Sequence, residues 1–221
     1  MTTGQAPPRR RAYRSPRRQQ QAAETRAAVL AAAVQLFGER GWAATGMREV
    51  ARAAGVSVET VYAGFGSKSD LLLAALDVAV VGDAAPVPLA RRPEFAALGR
   101  GTRHQRIAAA ARLITGAHQR TTGLYLALRE AAASDPDLAR RHREGEERRR
   151  VSVEQAIFLI MGRAATRQER DGLWAVGAVD VYQLLTELSG WTPQQYQTWV
   201  AAVIDRLLDQ APDQGAKGGR A

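Results

Sequence analysis

Apolar residues recur at helical spacing in residues 42–72 and predict two short helices joined by a tight turn. In the first helix, Met47, Val50, Ala51 and Ala54 follow one another at intervals of three, one and three positions. Gly55 then interrupts the pattern at a place where a helix-ending residue usually takes a positive φ. The pattern therefore predicts a helix that buries one face and stops at Gly55.

The second short helix is expected to begin after Ser57, because serine is a favourable N-cap residue. Val58, Val61 and Phe65 face inward at spacings of three and four. The positions left to face outward are Glu59, Thr60, Tyr62 and Ala63.

This arrangement predicts a helix-turn-helix, whose second helix enters the major groove of DNA. A tight helical hairpin within an all-α core would produce the same pattern. The flanking segments favour DNA binding. An amphipathic helix is predicted at 22–40, and the sequence S-K-S-D-L-L opens a further helix that runs to about residue 81.

Four motifs in register make residues 24–76 resemble the DNA-binding half of TetR-family transcriptional repressors. They read A-x-x-L-F-x-x-x-G-W, A-T-x-M-R-E-V-A-x-x-A-G-V-S, T-V-Y-x-x-F and S-K-x-x-L-L. The resemblance implies an all-α chain, with an N-terminal three-helix helix-turn-helix domain and a C-terminal helical domain for ligand binding and dimerisation. It also implies a homodimer that binds double-stranded operator DNA and is released by a small-molecule effector. Gly46 and Gly64 depart from the family pattern, so the phosphate and backbone contacts expected there are missing or weakened.

Positive charge is concentrated before this motif. The chain has a net charge of +9, which favours an anionic partner. Residues 1–18 hold six arginines and no acidic residue, whereas residues 19–70 hold five basic and five acidic residues. We therefore expect an Arg-rich arm that contacts DNA phosphates or the minor groove, with a solvated tail as the alternative. The arginines of this arm are Arg9, Arg10, Arg11, Arg14, Arg17 and Arg18.

Polar side chains in the motif are candidates for direct DNA contacts. Arg48 can address guanine through two hydrogen bonds, although a merely solvent-facing arginine is the alternative. Thr60 and Tyr62 carry hydroxyls that suit phosphate oxygens. The resemblance also implies that Lys68 is a phosphate clamp. The full set of predicted contacts within the motif is Thr45, Arg48, Ser57, Val58, Glu59, Thr60, Tyr62, Ala63 and Lys68.

The rest of the chain predicts further helices. Frequent glycine and proline predict a loop at residues 82–102. Five helices are expected at about 103–118, 122–134, 136–163, 167–190 and 193–209, and the mixed charges of residues 142–150 predict a solvent-exposed stretch. The predicted parts are a disordered arm at 1–20, the helix-turn-helix domain at 21–66, a linking helix at 67–81, an effector-binding and dimerisation domain at 82–211 and a disordered tail at 212–221.

The last two helices carry more large apolar residues than one inward face needs, which favours a four-helix bundle formed by two subunits. The segment V-Y-Q-L-L-T-E-L-S-G-W-T-P-Q-Q-Y-Q-T-W-V also resembles the closing helices of many actinobacterial-type members of the TetR family, and in that family this pair forms the homodimer interface. Ordinary core packing is the alternative. The predicted interface residues are Leu184, Leu188, Trp191, Tyr196, Trp199, Val203 and Leu207.

The resemblance also implies an effector pocket among the middle helices. An apolar pocket with a few polar groups would suit a hydrophobic or aromatic effector. Each candidate lining residue is also explained by packing alone. The candidates are Ile107, Ile114, His118, Tyr125, Phe158 and Trp174.

The sequence holds no catalytic or metal-binding motif. The three histidines lack metal-ligand spacing, G-x-S-x-G is absent, and a chain without cysteine has no disulfide or catalytic thiol. We therefore expect no enzymatic activity, cofactor or metal. The absence of a secretory signal and of an apolar run of ~18 residues agrees with a cytoplasmic protein. Two other classes remain open: a sequence-tolerant DNA-architectural protein and a small-molecule-binding helical protein with a vestigial motif.

Overall fold

The computed structural model describes residues 16–83 and 89–209, which form ten α-helices and no strand. The predicted all-α class is therefore confirmed. Two 3-10 turns, Leu89–Arg91 and Ala97–Gly99, flank the short helix α5, and a π-helical segment, Leu184–Leu188, continues α9. The helices are α1 (Pro16–Arg40), α2 (Met47–Ala53), α3 (Val58–Phe65), α4 (Lys68–Val81), α5 (Pro93–Ala96), α6 (Arg103–Ala132), α7 (Pro136–Met161), α8 (Arg167–Val176), α9 (Val179–Gln183) and α10 (Pro193–Asp209).

The ends of the short helices follow the local sequence. Gly55 has φ +68°, as expected for the residue that ends α2. The Ser57 hydroxyl accepts a hydrogen bond from the backbone N–H of Thr60 at 3.2 Å and caps α3. Ser67 caps α4 in the same way, by accepting from the N–H of Asp70 at 3.0 Å. These predicted helix boundaries are confirmed.

Helix α1 begins at Pro16, whereas the sequence pattern predicted a start at residue 22. Arg17 and Arg18, which were assigned to the arm, consequently lie in the first turn of α1 and are exposed. The other predicted arm residues, Arg9, Arg10, Arg11 and Arg14, and the predicted tail at 212–221 lie outside the described residues.

The predicted loop at 82–102 contains regular structure. Phe95 and Leu98 are 4% and 1% exposed, so the short helical turns at 89–99 are held by apolar burial. The breaker residues in this segment shorten the elements without abolishing them.

A single 30-residue helix, α6, replaces the two helices predicted at 103–118 and 122–134. The hydroxyls of Thr121 and Thr122 donate to the carbonyls of Ala117 and His118 at 2.8 and 2.7 Å, which satisfies them within the helix. Gly123 is a contact point: a Cβ there would lie 2.3 Å from the carbonyl oxygen of Gly38. This glycine lets α6 touch the end of α1, so it does not end a helix.

The helix predicted at 167–190 is broken between α8 and α9. The break lies at Gly177, whose carbonyl accepts a hydrogen bond from Arg149 Nη1 at 3.2 Å. The same nitrogen donates to the carbonyl of Trp174 at 2.8 Å. Arg149 therefore occupies carbonyls at the end of α8 from the neighbouring helix α7.

Two hydrophobic cores organise the described residues. The first packs α1–α4 against the C-terminal half of α6, including Leu124 and Leu128, and against Leu138 at the start of α7. The second packs the N-terminal half of α6 against the C-terminal half of α7 and against α8–α10. Helix α6 thus contributes to both cores, and the predicted boundaries at 66 and 81 do not separate them.

Candidate functional site

Helices α2 and α3 form a helix-turn-helix with one buried face and one free face. Val50 and Val61 are fully buried, so they fix α2 and α3 against the first core. The exposed residues of α3 include Glu59, Thr60 and Ala63, and Tyr62 is 51% exposed. This exposed face has the position that a recognition helix needs in the major groove.

The polar side chains of this face are exposed, as the sequence pattern predicts, and two of them also form a hydrogen bond with each other. Arg48 is exposed on α2. The hydroxyls of Ser57 and Thr60 are 3.0 Å apart and share a hydrogen bond. This bond uses one of the two hydroxyl protons, and the other proton can still be donated to a phosphate oxygen.

One predicted DNA contact, Thr45, faces the protein interior. Thr45 is 1% exposed, and its hydroxyl donates to the carbonyl of Leu36 at 3.0 Å, so its side chain closes the end of α1. The assignment of Thr45 to the DNA surface was therefore wrong. Val58 is half-buried and packs partly on the first core, and its contact with DNA stays a prediction.

Lys68 is directed at Trp42. Its Nζ donates to the Trp42 carbonyl at 2.6 Å and lies 4.0 Å from the centre of the indole ring. Burial lowers the pKa of Lys68, while the carboxylates of Glu130 and Glu49 act in the opposite direction. The ammonium has three N–H donors and uses one of them on this carbonyl, so a phosphate contact by Lys68 stays a prediction.

The reading head, defined here as residues 42–72, is bonded directly to α6 and α7. Glu130 on α6 accepts hydrogen bonds from the backbone N–H groups of Trp42 and Ala43, at 3.0 and 3.3 Å. Arg141 on α7 forms an ion pair with Asp70 at 2.6 Å. A movement of α6 therefore acts on the first residues of the head, and a movement of α7 acts on its end at Asp70.

A cavity of about 1280 Å³ lies between α4, α6, α7 and α8. Four of the predicted pocket residues line it, namely Ile114, His118, Tyr125 and Trp174. The other two do not. Ile107 is 3% exposed within the second core, and Phe158 is 56% exposed on another side of α7, where it borders a separate surface groove. Periodicity cannot separate these cases, because it does not show which neighbour a helix face meets.

The charged stretch at 142–150 also contributes to the cavity, although it was predicted to be solvent-exposed. Its half-buried residues include His142, Glu146 and Arg149, which line the cavity. Their spacing of four and three places them on one face of α7, and this spacing is the sequence signal that was available. Asp77 on α4 is a further lining residue that sequence reasoning missed.

His118 joins three elements at the cavity wall. Its Nδ1 lies 3.2 Å from the hydroxyl of Tyr196 on α10, and the His118 ring also contacts Tyr182. Burial lowers the pKa of His118 to about 4, although its hydrogen bond to the Gly177 carbonyl acts in the opposite direction. The imidazole is therefore neutral at physiological pH. In this state one ring nitrogen donates to Gly177 while Nδ1 accepts from Tyr196.

The predicted dimer face is divided between surface and core. Leu184 and Leu188 are 54% and 78% exposed. Tyr196 is 0% exposed and belongs to the second core, so its assignment to the interface was wrong. The remaining predicted interface residues, Trp191, Trp199, Val203 and Leu207, are half-buried.

These features define the class of the protein: an all-α helix-turn-helix protein with a cavity beside the reading head. Residues 29–75 match the model of the family described as bacterial regulatory proteins, tetR family. This match covers the helix-turn-helix part of the chain, so that part is similar to the DNA-binding segment of this family of regulators. The narrower prediction of an actinobacterial-type member stays a prediction.

Solved structures share the whole fold at low sequence identity. A transcriptional regulator from Rhodococcus sp. Rha1 is 19% identical, with a TM-score of 0.58 over 85% of this chain and 99% of that chain. The multidrug binding protein EbrR, complexed with imidazole, is 21% identical, with a TM-score of 0.56 over 85% and 97%. NalD, the secondary repressor of the MexAB-OprM multidrug efflux pump in Pseudomonas aeruginosa, is 21% identical, with a TM-score of 0.51 over 85% and 96%. No curated protein matches the chain.

Within residues 16–83 and 89–209, no helix has the length and apolar character that crossing a membrane requires.

Proposed function

We propose that this chain is a homodimeric, sequence-specific transcriptional repressor of the cytoplasm that leaves its operator when a small molecule enters the cavity. The observation that carries the DNA-binding part is the exposed face of α3, which a buried Val61 holds outward from the first core. The family match covers both helices of this motif.

The proposed DNA contacts follow from exposure. Base contacts are assigned to Arg48, Glu59 and Ala63, and phosphate contacts to the hydroxyls of Thr60 and Tyr62. The head itself carries little net charge. We therefore assign the long-range attraction of the protein to DNA to the arm and to Arg17 and Arg18 in the first turn of α1.

The effector part rests on the cavity and on its contacts with the head. Glu130 and Arg141 connect the cavity-forming helices to residues 42–43 and to Asp70. A ligand that fits better when these helices move would favour a head spacing unsuited to the operator, because only differential affinity shifts such an equilibrium. Repression by a relative with this fold, NalD, agrees with the proposal.

Dimerisation is assigned to the π-helical segment after α9 together with α10. Leu184 and Leu188 leave apolar surface exposed that a second subunit would cover. Two heads would then contact half-sites about 34–36 Å apart or at a multiple of this distance. Leu188→Glu should convert the dimer to a monomer in sedimentation equilibrium, and a variant that remains dimeric would exclude this surface.

The test of DNA binding starts with selection of operator duplexes from a random pool by the full chain. Arg48→Ala should then weaken operator binding by about 5- to 150-fold and relax preference at one base pair. Arg112→Ala is a matched control, because Arg112 is exposed on α6 in the half that packs in the second core. Equal losses in both variants would show that only overall charge matters.

A DNA-architectural protein is the second candidate, because the basic arm favours sequence-tolerant binding. Competition between the selected operator and random duplex at one salt concentration separates the two. Equal affinities would favour the architectural protein. A wild-type chain that binds no duplex would instead favour a vestigial motif.

A further inference from the structure

Helix α3 is held to the rest of the head by little buried surface. Of its eight residues, all of which the structure describes, only Val61 is buried, and Val58 and Phe65 are half-buried. The start of α3 is fixed locally by the Ser57 cap. The C-terminal end of α3 therefore needs a further contact if its side chains are to keep one orientation in the major groove.

Gly64 makes this end of α3 less rigid than another residue would. Glycine loses more backbone freedom on folding than any other residue, so it weakens a helix. Neither space nor backbone conformation requires glycine here. A Cβ on Gly64 would meet no neighbouring part of the chain within 4 Å, and the φ of Gly64 is not positive. The last turn of α3 is thus easily deformed unless its backbone is bonded from outside.

Such a bond comes from α1. The last four carbonyls of a helix have no partner within it. In α3, the carbonyls of Tyr62 and Phe65 accept from backbone N–H groups just beyond the helix. The carbonyl of Gly64 instead accepts a hydrogen bond from Arg26, whose Nη1 lies 3.2 Å away. This bond therefore ties the end of α3 to another helix.

The Arg26 guanidinium also lies over the ring of Phe65. Its central carbon is 4.4 Å from the ring centre, a distance at which a cation is attracted to the face of an aromatic ring. A positive charge at the C-terminal end of a helix is also favoured by the helix dipole. The planar guanidinium can make the hydrogen bond and the ring contact at the same time. Arg26 thus holds both of the last two residues of α3.

The side chains nearest to this tether are those assigned to DNA. Ala63, which precedes Gly64, is assigned to a base edge, and Tyr62 to a phosphate. Contacts of this kind tolerate displacements of only about 0.5 Å. A change in the tilt of the last turn of α3 would therefore alter base discrimination without removing a positive charge from the phosphates.

We propose that Arg26 is a positioning residue for sequence discrimination: by bonding the Gly64 carbonyl and stacking on Phe65, it fixes the recognition helix in the orientation that its base contacts require. This inference rests on the proposed sequence-specific DNA binding and adds to it a residue outside the helix-turn-helix. Arg26 also lies outside residues 29–75, which the family model matches. Non-specific binding depends on charge and needs no exact tilt of α3, so the two kinds of binding respond differently to the loss of Arg26.

The test compares Arg26→Met with the wild-type full chain, because methionine keeps an unbranched stem and a similar helix propensity but has no charge and no donor. Affinities for the selected operator and for random duplex are measured at several salt concentrations. We expect operator affinity to fall about tenfold while random-duplex affinity and the salt slope stay unchanged, because only the base contacts depend on orientation. Arg112→Met removes the same charge from an exposed position on α6 and should change neither affinity.

Gly64→Ala separates positioning from a direct contact of Arg26 with DNA. Alanine has room at this position and restricts the last turn of α3. In the Gly64→Ala background, Arg26→Met should lower operator affinity by only about threefold, because a more rigid helix end depends less on the tether. Amide hydrogen exchange of the free protein gives an independent readout. Arg26→Met should speed exchange at residues 63–66 and leave exchange in α2 unchanged.

Three results would overturn the positioning role. Equal losses of operator and random-duplex affinity with a shallower salt slope would show that Arg26 contacts phosphate directly. A full tenfold loss in the Gly64→Ala background would lead to the same conclusion. Exchange that rises throughout the head would show a general loss of stability. Unchanged operator affinity in Arg26→Met would overturn this inference alone, whereas a wild-type chain without operator preference would overturn the proposed function together with it.

Discussion

The contact between Gly38 and Gly123 makes a sharp prediction about how α1 is joined to α6. In Gly123→Ala, the new Cβ would stand 2.3 Å from the carbonyl oxygen of Gly38, where ordinary contact begins at about 3.4 Å. The obstacle is backbone, which cannot rotate away as a side chain does. The two helices must therefore separate by roughly 1 Å, and overpacking of this kind costs about 1–3 kcal/mol.

The same substitution also improves helix propensity, by about 1 kcal/mol. The net effect of Gly123→Ala should thus be a loss of up to about 2 kcal/mol in the free energy of unfolding, or a fall in Tm of up to about 4–8 °C. The matched control is Gly145→Ala on α7, where the nearest atom to a new Cβ is 3.7 Å away and belongs to the flexible Arg148 side chain. This variant should gain about 0.5–1 kcal/mol from propensity alone.

Urea unfolding followed by circular dichroism measures both variants at one protein concentration, since dimerisation would make stability concentration-dependent. Opposite signs for the two glycines are the expected result. If Gly123→Ala is as stable as Gly145→Ala, the helices are not in contact at this point, and α6 does not support the head in the way described.

Three further outcomes follow from the contacts already given. Glu130→Ala should lower the free energy of unfolding by roughly 1 kcal/mol and weaken operator binding, because the N–H groups of Trp42 and Ala43 lose a charged acceptor. Glu130→Gln should retain part of the stability and part of the operator affinity. Unchanged operator affinity in Glu130→Ala would disprove coupling through this contact. His118 has a folded-state pKa of about 4, below the ordinary value of 6.5, so the unfolded chain binds the proton first. The stabilisation that neutral His118 gives the folded state is present above pH 6.5, and the free energy of unfolding falls by about 2 kcal/mol between pH 7 and pH 5. In urea titrations, His118→Gln should flatten this dependence of the free energy of unfolding on pH. An unchanged slope would refute its assignment to His118. Removing residues 1–15 should reduce the salt dependence of operator binding by roughly 0.9 log units per lost phosphate contact while preference for the operator persists, whereas an unchanged slope would mean that the arm is a tail.

Local signals in the sequence predicted the reading head well because its structure is set locally. Gly55, Ser57 and Ser67 end or cap helices through atoms within a few residues, and the inward face of α3 repeats at helical spacing. Such features depend little on the rest of the chain.

Features that depend on a distant neighbour were predicted less well. The contact of Gly123 with Gly38 was not predicted, because the two glycines are 85 positions apart in sequence (123 minus 38). Tyr196 has the large apolar ring of an interface residue, yet its hydroxyl meets His118 in the core. The charges on α7 looked solvated because the sequence does not show that α8 lies over Glu146 and Arg149.

The continuity of α6 has a mechanical consequence for any signal that passes through the molecule. At about 1.5 Å per residue, its 30 residues form a rod about 45 Å long. Near one end of α6, Arg103 forms ion pairs with Asp205 and Asp209 on α10. Near the other end, Glu130 accepts hydrogen bonds from the backbone of the head. Because one helix joins these two anchors, an axial shift of α6 where it meets α10 would move Glu130 and, with it, the hydrogen bonds to residues 42–43.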